Sequence, residues 1–486
     1  MCIKMILTFI NDAIYIHKFI YTVGTRDVTN VFESEHKCRM TSPQKPQTRR
    51  HMLKSAVVAL SGTVLAGCAS STNDEKKTTT PNVTETTTER TPTPSQLSLK
   101  KLGQTLLSGQ SPPSGGYSET DVRSDGRYAV VGTKWGISGS YLVDLDDPAS
   151  PKQVHHLDNS NDAPNLDVKF DHREGLYYRA IERTWSGNFE IVDYGYSSGT
   201  PTAPEVVGSV SDGKSHNVTP HPTKPLFYTV NYGLETNGFD IYDVTEPTAP
   251  RKVGQHGPQG ACHHIKVDTK RKLLCASFQS GQFVGIILYD VSDPRKPNEV
   301  GRFDYKKQTP YSQADVGEEA FGAAHRSYFD PRRELLVVGD ERMAGVPGGK
   351  HIFDIGWKNG SVENPIPIGF TVSPNARRMG EDWDERFDWT GHHFDIVPWG
   401  DATLLVSADW HEGVVLYDIT DPTNPHSLSR YPTDDSMDRV TLNDKVSLLG
   451  KPPMAWKAAY NKNRDLIVAS DTFTGLYTFG LSATQN

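Results

Sequence analysis

The sequence predicts an all-β fold assembled from repeated units, and two observations lead to this prediction. Short runs of β-branched residues, separated by turns rich in Pro, Gly and Asp, fill the chain after residue 97. A strand followed by an acidic Asp-Pro or Glu-Pro turn also recurs at intervals of about 40 to 60 residues, a spacing typical of repeat proteins. Its copies lie at 141–148, 189–193, 239–247, 287–294, 351–355 and 415–422, with a truncated copy near 476–477.

Each repeat contains four short strands. A strongly apolar strand, preceded by a turn rich in Pro, Asp, Arg and Gly, is the second strand of each unit. The strand with the acidic turn follows it, and a short fourth strand, such as 252–254 or 299–303, comes after that turn. Four-stranded units around a central channel are the blades of a β-propeller. The sequence therefore predicts a seven-bladed β-propeller over residues 98–486, with the apolar strands at 128–131, 176–178, 226–230, 273–276, 335–338, 404–407 and 466–469.

The last unit ends at 479–480 without a fourth strand. An unpaired edge strand is a site of aggregation that proteins usually avoid. Residues 99–106 resemble the fourth strands of the other units. We therefore expect this N-terminal strand to complete the last blade and close the ring.

The recurring strand-and-turn segments resemble the repeats of the LVIVD family. By this resemblance the chain is similar to LVIVD repeat-containing β-propeller lipoproteins of haloarchaea, and the resemblance covers almost all of the chain after residue 97. It implies a propeller fold but little about chemistry, because propellers carry many unrelated functions.

The N-terminal region contains features of an export signal. Residues 48–53 resemble a twin-arginine motif, the apolar stretch 56–66 is too short to span a bilayer, and 65–68 resemble a lipobox that ends at Cys68. We expect an exported protein, lipid-anchored through Cys68 to the outer face of the cytoplasmic membrane. An uncleaved membrane anchor is the alternative.

These features suggest four regions. We interpret residues 1–39 as a start-site artefact or a disordered segment, and residues 40–68 as the twin-arginine lipoprotein signal. Residues 69–97 are rich in Thr and Pro and are expected to form a disordered linker, and residues 98–486 form the propeller.

Charge and cysteine content restrict the remaining possibilities. The chain has 51 Lys plus Arg and 59 Asp plus Glu, of which 12 and 8 precede residue 98, so the propeller region carries a net charge of −12. Nucleic acid is therefore an unfavourable partner. A turn near Lys270 would place Cys262 opposite residue 278 and Cys275 opposite residue 265, so we expect two free buried cysteines rather than a disulfide.

Histidine recurs at one equivalent position of four consecutive units. The inner strands are expected to begin at Ser118, Leu166, His216, His263, His325, His392 and Trp456. Because inner strands line the channel, the four imidazoles of His216, His263, His325 and His392 are predicted to converge at one mouth, where they can bind a transition metal such as copper or zinc. The alternative is structural repetition, with each ring hydrogen-bonded to nearby backbone.

Other polar residues are expected near the same mouth. His264 and His393 follow two of the four histidines and should point the other way along their strands. The loops after the second strands are expected to bring further side chains to this rim. These side chains can support the ligands, bind the ion directly or face solvent. They are Asp340, Glu341, Asp409, His411 and Glu412. The long loops 304–322 and 373–391 belong to this face as well. The Asp-Pro turns lie on the opposite face, where their acids are expected to cap turns.

Two functions of different classes follow from these features. The first is a cell-surface binding module for an extracellular protein, glycan or small ligand, with a histidine-lined metal site at one channel mouth. The second is a metal-dependent extracytoplasmic oxidoreductase of copper or zinc type, a design that nitrous oxide reductase and the selenium-binding, thiol-oxidising proteins suggest. The sequence lacks the usual hydrolase, phosphate-loop and dinucleotide motifs. A structural component of the cell envelope is the third alternative.

Overall fold

The computed structural model describes residues 4–10, 13–19, 93–108, 113–159, 163–182, 188–211, 213, 215–233, 235–307, 321–342, 348–376 and 390–483. The predicted export signal with Cys68, most of the predicted linker, and the central parts of the loops 304–322 and 373–391 lie outside the described residues. Within the ranges that the structure describes, no helix is long and apolar enough to cross a membrane. Strands β1 (Lys4–Ile10) and β2 (Ala13–Phe19) pair with each other.

The described residues from Leu97 onward form antiparallel sheets, and short 3-10 turns occur at Pro94–Gln96, Tyr305–Lys307, Met437–Arg439 and Val446–Leu448. The first strands in chain order are β3 (Leu97–Thr105), β4 (Tyr117–Val122), β5 (Tyr128–Thr133), β6 (Ser140–Asp144), β7 (Lys152–Leu157), β8 (Val168–Phe170), β9 (Leu176–Ile181), β10 (Asn188–Asp193), β11 (Glu205–Val210), β12 (Ser215–Pro220), β13 (Leu226–Asn231), β14 (Asn237–Asp243) and β15 (Arg251–Asp268). They are followed by β16 (Leu273–Gly281), β17 (Gly285–Asp290), β18 (Asn298–Asp304), β19 (Ala324–Phe329), β20 (Leu335–Asp340), β21 (Lys350–Asp354), β22 (Ile366–Thr371), β23 (Phe394–Trp399), β24 (Ala402–Ala408), β25 (Val414–Asp418), β26 (His426–Tyr431), β27 (Ala455–Asn461), β28 (Leu466–Asp471) and β29 (Gly475–Ala483).

The sheets follow the chain in groups of four strands. Four-stranded sheets consist of β4 to β7, β8 to β11, β19 to β22 and β23 to β26, and β3 joins β27, β28 and β29. Strands β12 to β18 form one seven-stranded sheet, because the 18-residue β15 pairs with β14 along its first half and with β16 along its second half. Dividing β15 at this point gives seven four-stranded units among the described strands. The fold is therefore an all-β propeller, as the repeats predicted.

The N-terminal strand completes the last unit. β3 pairs antiparallel with β29, and Thr105 lies opposite Leu476 while Lys101 lies opposite Phe479. A core cluster also joins the first unit, through Tyr117, to the last unit. The prediction that residues 99–106 close the ring is confirmed.

Adjacent units pack closely because small residues and capped turns meet at their boundaries. A Cβ atom on Gly208 of β11 would lie 2.0 Å from the backbone oxygen of Pro247, and one on Gly369 of β22 would lie 1.9 Å from that of Pro422. Only glycine therefore lets a fourth strand approach the Asp-Pro or Glu-Pro turn of the next unit. Carboxylates at the ends of the third strands accept hydrogen bonds from backbone N–H groups two residues on, as predicted for turn caps, at Asp144, Asp243, Asp290 and Asp418.

Cys262 and Cys275 are free and buried, as predicted. Cys262 lies opposite Phe278, which agrees with the sequence analysis, but Cys275 lies opposite Lys266 rather than residue 265. The hairpin register near the turn differs by one residue from the predicted register. A register shift between Cys262 and His264 brings Cys262 back to its expected neighbour.

Candidate metal centre

The inner strands surround a channel that is filled with ionised side chains. Glu119 of β4 contacts side chains of four other units: its Oε1 lies 2.8 Å from Lys169 Nζ, 2.9 Å from Lys457 Nζ and 3.7 Å from Arg326, and its Oε2 contacts His393. Because Glu119 contacts units on several sides of the ring, its carboxylate lies near the ring axis. Burial alone would raise the pKa of Glu119, but His393, Lys169 and Lys457 lower it well below its usual value.

The four histidines at equivalent positions lie side by side. The distances between ring centroids are 4.6 Å from His216 to His263, 3.9 Å from His263 to His325 and 4.6 Å from His325 to His392. All four rings are buried. Burial lowers the pKa of His392 to about 3, and with neighbouring histidines it also lowers the pKa values of His263 and His325 well below the usual value. His263, His325 and His392 are therefore neutral at pH 7, the form in which histidine binds metals.

His393 also lies in this group, and the expectation that it points away is wrong. Its ring stacks on that of His392 with centroids 4.3 Å apart, and it lies 4.8 Å from the His325 ring. His392 and His393 precede β23, which begins at Phe394, so the alternation of a regular strand does not apply to them. His264 behaves differently: its ring is 6.4 Å from that of His393, and its Nδ1 accepts a hydrogen bond from the Ser327 backbone.

Two histidines are oriented as metal ligands usually are. Nδ1 of His392 donates to the backbone oxygen of Trp456 at 2.5 Å, and Nδ1 of His393 donates to the Glu119 carboxylate. Such contacts place the proton on Nδ1 and leave a lone pair on Nε2. The Nε2 atom of His393 is buried and has no hydrogen-bond partner in the described part of the chain.

His325, His392 and His393 form a donor set that can hold a metal ion. One nitrogen from each ring lies within 4.8 Å of the other two, and all three side chains are buried. A zinc ion would bind each nitrogen at about 2.0 to 2.1 Å, so a small inward movement of the rings would complete the coordination. Imidazole ligands also suit copper, iron and nickel.

Glu341 borders this donor set. Its Oε2 lies 3.2 Å from His325 Nε2 and its Oε1 lies 3.5 Å from His392 Nε2. Gln279 holds the carboxylate through a hydrogen bond of 3.1 Å, and Tyr232 in turn donates to Gln279 at 2.7 Å. Burial raises the pKa of Glu341 to about 7. Glu341 therefore lies beside the donor set as a group that can accept or release a proton.

The other two predicted ligands have different environments. His263 forms a second donor set with His325 and Glu341. Its Nδ1, however, accepts a hydrogen bond of 3.0 Å from the side-chain amide of Asn217. His216 lies at the end of the row, where its Nδ1 contacts Glu182 at 3.0 Å. Among the described residues, His216 belongs to neither donor set.

The remaining predicted rim residues are bound into separate contacts. Asp340 accepts hydrogen bonds from Tyr305 and Gly322, and it contacts His351. Asp409 pairs with Lys350 at 2.7 Å, and Glu412 contacts Asn375 and Arg430. His411 is buried. Asp340, Asp409, His411 and Glu412 contribute no atom to either donor set among the described residues.

Two residues that organise the site were not identified from the sequence. Glu119 holds His393, and Asn217 holds His263. Each immediately follows the predicted start of an inner strand, Ser118 or His216. His264 and His393 occupy this same second position of an inner strand, so the position was the signal for Glu119 and Asn217 as well.

A cavity of about 450 Å³ lies against the first unit, and its lining does not include the residues of the donor sets. Tyr117, Tyr141 and Lys134 line it, among other residues. Lys134 also pairs with Glu182 at 3.4 Å and lies 5.7 Å from the centre of the Trp456 ring. Trp456 packs on His392 with ring centroids 4.5 Å apart, so the cavity and the histidine group are linked through these two side chains.

Comparison with known proteins gives likenesses of fold. No family model matches the chain, and no curated protein matches its sequence. The chain is similar to the C-terminal WD40 domain of Sif2, with 12% identity and a TM-score of 0.45 over 75% of this chain and 81% of that one. It is also similar to the β-propeller domain of Cps50 (Swd1) from Myceliophteria thermophila, with 11% identity and a TM-score of 0.47 over 75% of this chain and 96% of that one. The chain is also similar to a functionally unknown protein from Desulfotomaculum acetoxidans, with 9% identity and a TM-score of 0.45 over 63% of this chain and 83% of that one.

Proposed function

We propose that this propeller is a binding module that holds one transition-metal ion, of copper or zinc type, at a channel mouth. His325, His392 and His393 are the proposed ligands. The observation that carries the proposal is the Nε2 atom of His393, which is buried without a partner among the described residues while its Nδ1 is held by Glu119. An unsatisfied buried polar atom costs about 1 to 3 kcal/mol, and a bound metal ion would remove this cost.

The second candidate is a metal-dependent oxidoreductase that acts outside the cytoplasm. Three protein ligands leave at least one coordination position for water or substrate, as in catalytic metal sites. The cavity of about 450 Å³ linked to the site by Lys134 and Trp456 is large enough for a small molecule. These features favour a small ligand over a glycan or protein.

The location of the protein is a separate proposal. Residues 48–53 and 65–68 support export by the twin-arginine route and attachment of lipid to Cys68. The resemblance of the repeats to LVIVD lipoproteins supports the same location. A surface-tethered propeller would present its metal centre to ligands outside the cell.

Metal stoichiometry tests the proposed site. The purified full chain is stripped of metal, incubated separately with Zn²⁺ and Cu²⁺, and dialysed before elemental analysis. We expect one ion per chain in the wild type and a loss of at least tenfold in affinity for His393→Ala, because removing one of three ligands weakens binding strongly. Quenching of tryptophan fluorescence by Cu²⁺ gives a second readout, since Trp456 packs on His392.

His216→Ala is the matched control. His216 belongs to the same row of rings but to neither donor set among the described residues, so this variant should keep the metal. If His216→Ala and His393→Ala lose the same amount of metal, metal binding depends on the packing of the whole row and not on the assigned ligands. No bound metal in the wild type would refute the proposed function.

A further inference from the structure

His263 differs from the proposed ligands in the position of its ring proton. The side-chain amide nitrogen of Asn217 donates to the backbone oxygen of His263 at 2.6 Å and lies 3.0 Å from His263 Nδ1. An amide NH₂ group only donates, so Nδ1 accepts, and the single proton of the neutral ring is on Nε2. The contact with the backbone oxygen fixes the amide orientation, because a flipped amide would bring two oxygens together.

His263 nevertheless lies beside one of the proposed ligands. Its ring centroid is 3.9 Å from that of His325. One atom each of His263, His325 and Glu341 lies within 4.8 Å of the other two. Because Asn217 occupies Nδ1, the remaining polar group of the His263 ring is its Nε2–H. A protonated nitrogen has no lone pair for a metal ion, but it is a hydrogen-bond donor.

A donor beside an open coordination position favours an anion. A metal ion held by His325, His392 and His393 keeps a position for a ligand that the protein does not supply. Hydrogen bonds from a fixed N–H group to an anion are stronger than those between neutral groups, and more so where water is excluded. His263 is buried, and its orientation is set before any ligand arrives.

We propose that the open position of the metal centre takes a small anion, which binds the metal through one atom and accepts a hydrogen bond from the Nε2–H of His263. Asn217 sets this role by keeping the ring proton on Nε2. The inference rests on the proposed function, because the anion is bound to the metal ion. His263 therefore recognises the anion and is not a metal ligand, although the sequence predicted it as one of four metal-binding histidines.

Azide binding to the Co²⁺-loaded full chain tests this role. Cobalt content is measured first, and azide is then titrated while the cobalt absorption bands are followed. We expect His263→Leu to keep one Co²⁺ per chain and to bind azide about tenfold more weakly, the effect of losing one charge-assisted hydrogen bond. His263→Gln, which keeps an N–H donor, should recover most of the affinity.

Two further variants separate recognition from structure. Asn217→Leu removes the donor that keeps the ring proton on Nε2, so it should weaken azide binding without removing the His263 ring. His216→Leu, which alters the same row at a residue that belongs to neither donor set among the described residues, should bind azide as the wild type does. Far-ultraviolet circular dichroism checks that each variant is folded.

The outcomes distinguish the two proposals. One Co²⁺ per chain with equal azide affinity in the wild type and His263→Leu would refute the anion role and leave the metal centre intact. Loss of Co²⁺ from both His263→Leu and His263→Gln would show that His263 is a metal ligand, which also overturns the inference. Absence of Co²⁺ from the wild type would refute the metal centre and the anion site together.

Discussion

Glu119→Gln removes one negative charge from the centre of the channel and leaves the shape of the side chain almost unchanged. The carboxylate lies 2.8 Å from Lys169 Nζ and 2.9 Å from Lys457 Nζ, and Arg326 is 3.7 Å away. Removing one partner of a buried ion pair costs about 3 to 5 kcal/mol. Lys169 keeps its ion pair with Asp167 in the variant. The loss of stability therefore stays near that of one buried ion pair and is not multiplied by the number of cations. We therefore expect the free energy of unfolding to fall by about 3 to 5 kcal/mol.

The pH dependence of this effect has a defined sign. Neighbouring cations lower the pKa of Glu119 in the folded protein, after the opposing effect of burial. Its charge therefore stabilises the fold fully above the unfolded pKa of about 4.3 and loses this effect as the pH falls toward the folded pKa. The difference between the wild type and Glu119→Gln should be constant from pH 6 to pH 8 and should shrink only in acid.

The same substitution tests the link between the channel and the metal centre. Glu119 accepts the Nδ1–H of His393, and losing such a supporting contact typically lowers metal affinity by about 10- to 100-fold. Urea unfolding and competitive Zn²⁺ titration provide the two measurements. Glu299→Gln is the control, because its pair with Arg302 is exposed and contributes about 0 to 1 kcal/mol. If Glu119→Gln and Glu299→Gln have the same free energy of unfolding and the same Zn²⁺ affinity, Glu119 neither stabilises the channel nor supports His393 as a ligand.

Two other predictions concern closure and location. Deleting residues 98–107 removes the strand that pairs with β29, and the loss of several kcal/mol should lower the melting temperature by about 5 °C in circular dichroism; unchanged melting would contradict ring closure through this strand. Cys68→Ser should release or misprocess the exported protein in membrane fractionation, whereas retention on the membrane at the mature size would require another anchor.

The equivalence of repeats made the arrangement of the histidines predictable. His216, His263, His325 and His392 occupy the same place in consecutive units, so a ring arrangement brings them together without detailed knowledge of the side chains. The missing fourth strand of the last unit likewise predicted the pairing of β3 with β29. Repetition is a strong source of spatial information because each copy reports the position of the others.

The local direction of a side chain was not predictable in the same way. His393 was expected to face away from His392, but both residues precede β23 and their rings stack. Register shifts occur at the beginning of several inner strands, as between Ala324 and Arg326. An inserted residue or an irregular start breaks the two-residue period of a strand, and the sequence carries no clear mark of it.

Differences between the units, rather than their repetition, determine which histidines have a lone pair for a metal ion. The partner of His393 is Glu119, which reaches it across the channel from a residue 274 positions away in the chain. The partner of His263 is Asn217, which donates where Glu119 accepts. A carboxylate places the proton on Nδ1 and leaves Nε2 available, whereas an amide NH₂ group places the proton on Nε2. Histidines at equivalent positions thus acquire opposite roles because their neighbours from other units differ, and such long-range partners become visible only in the folded ring.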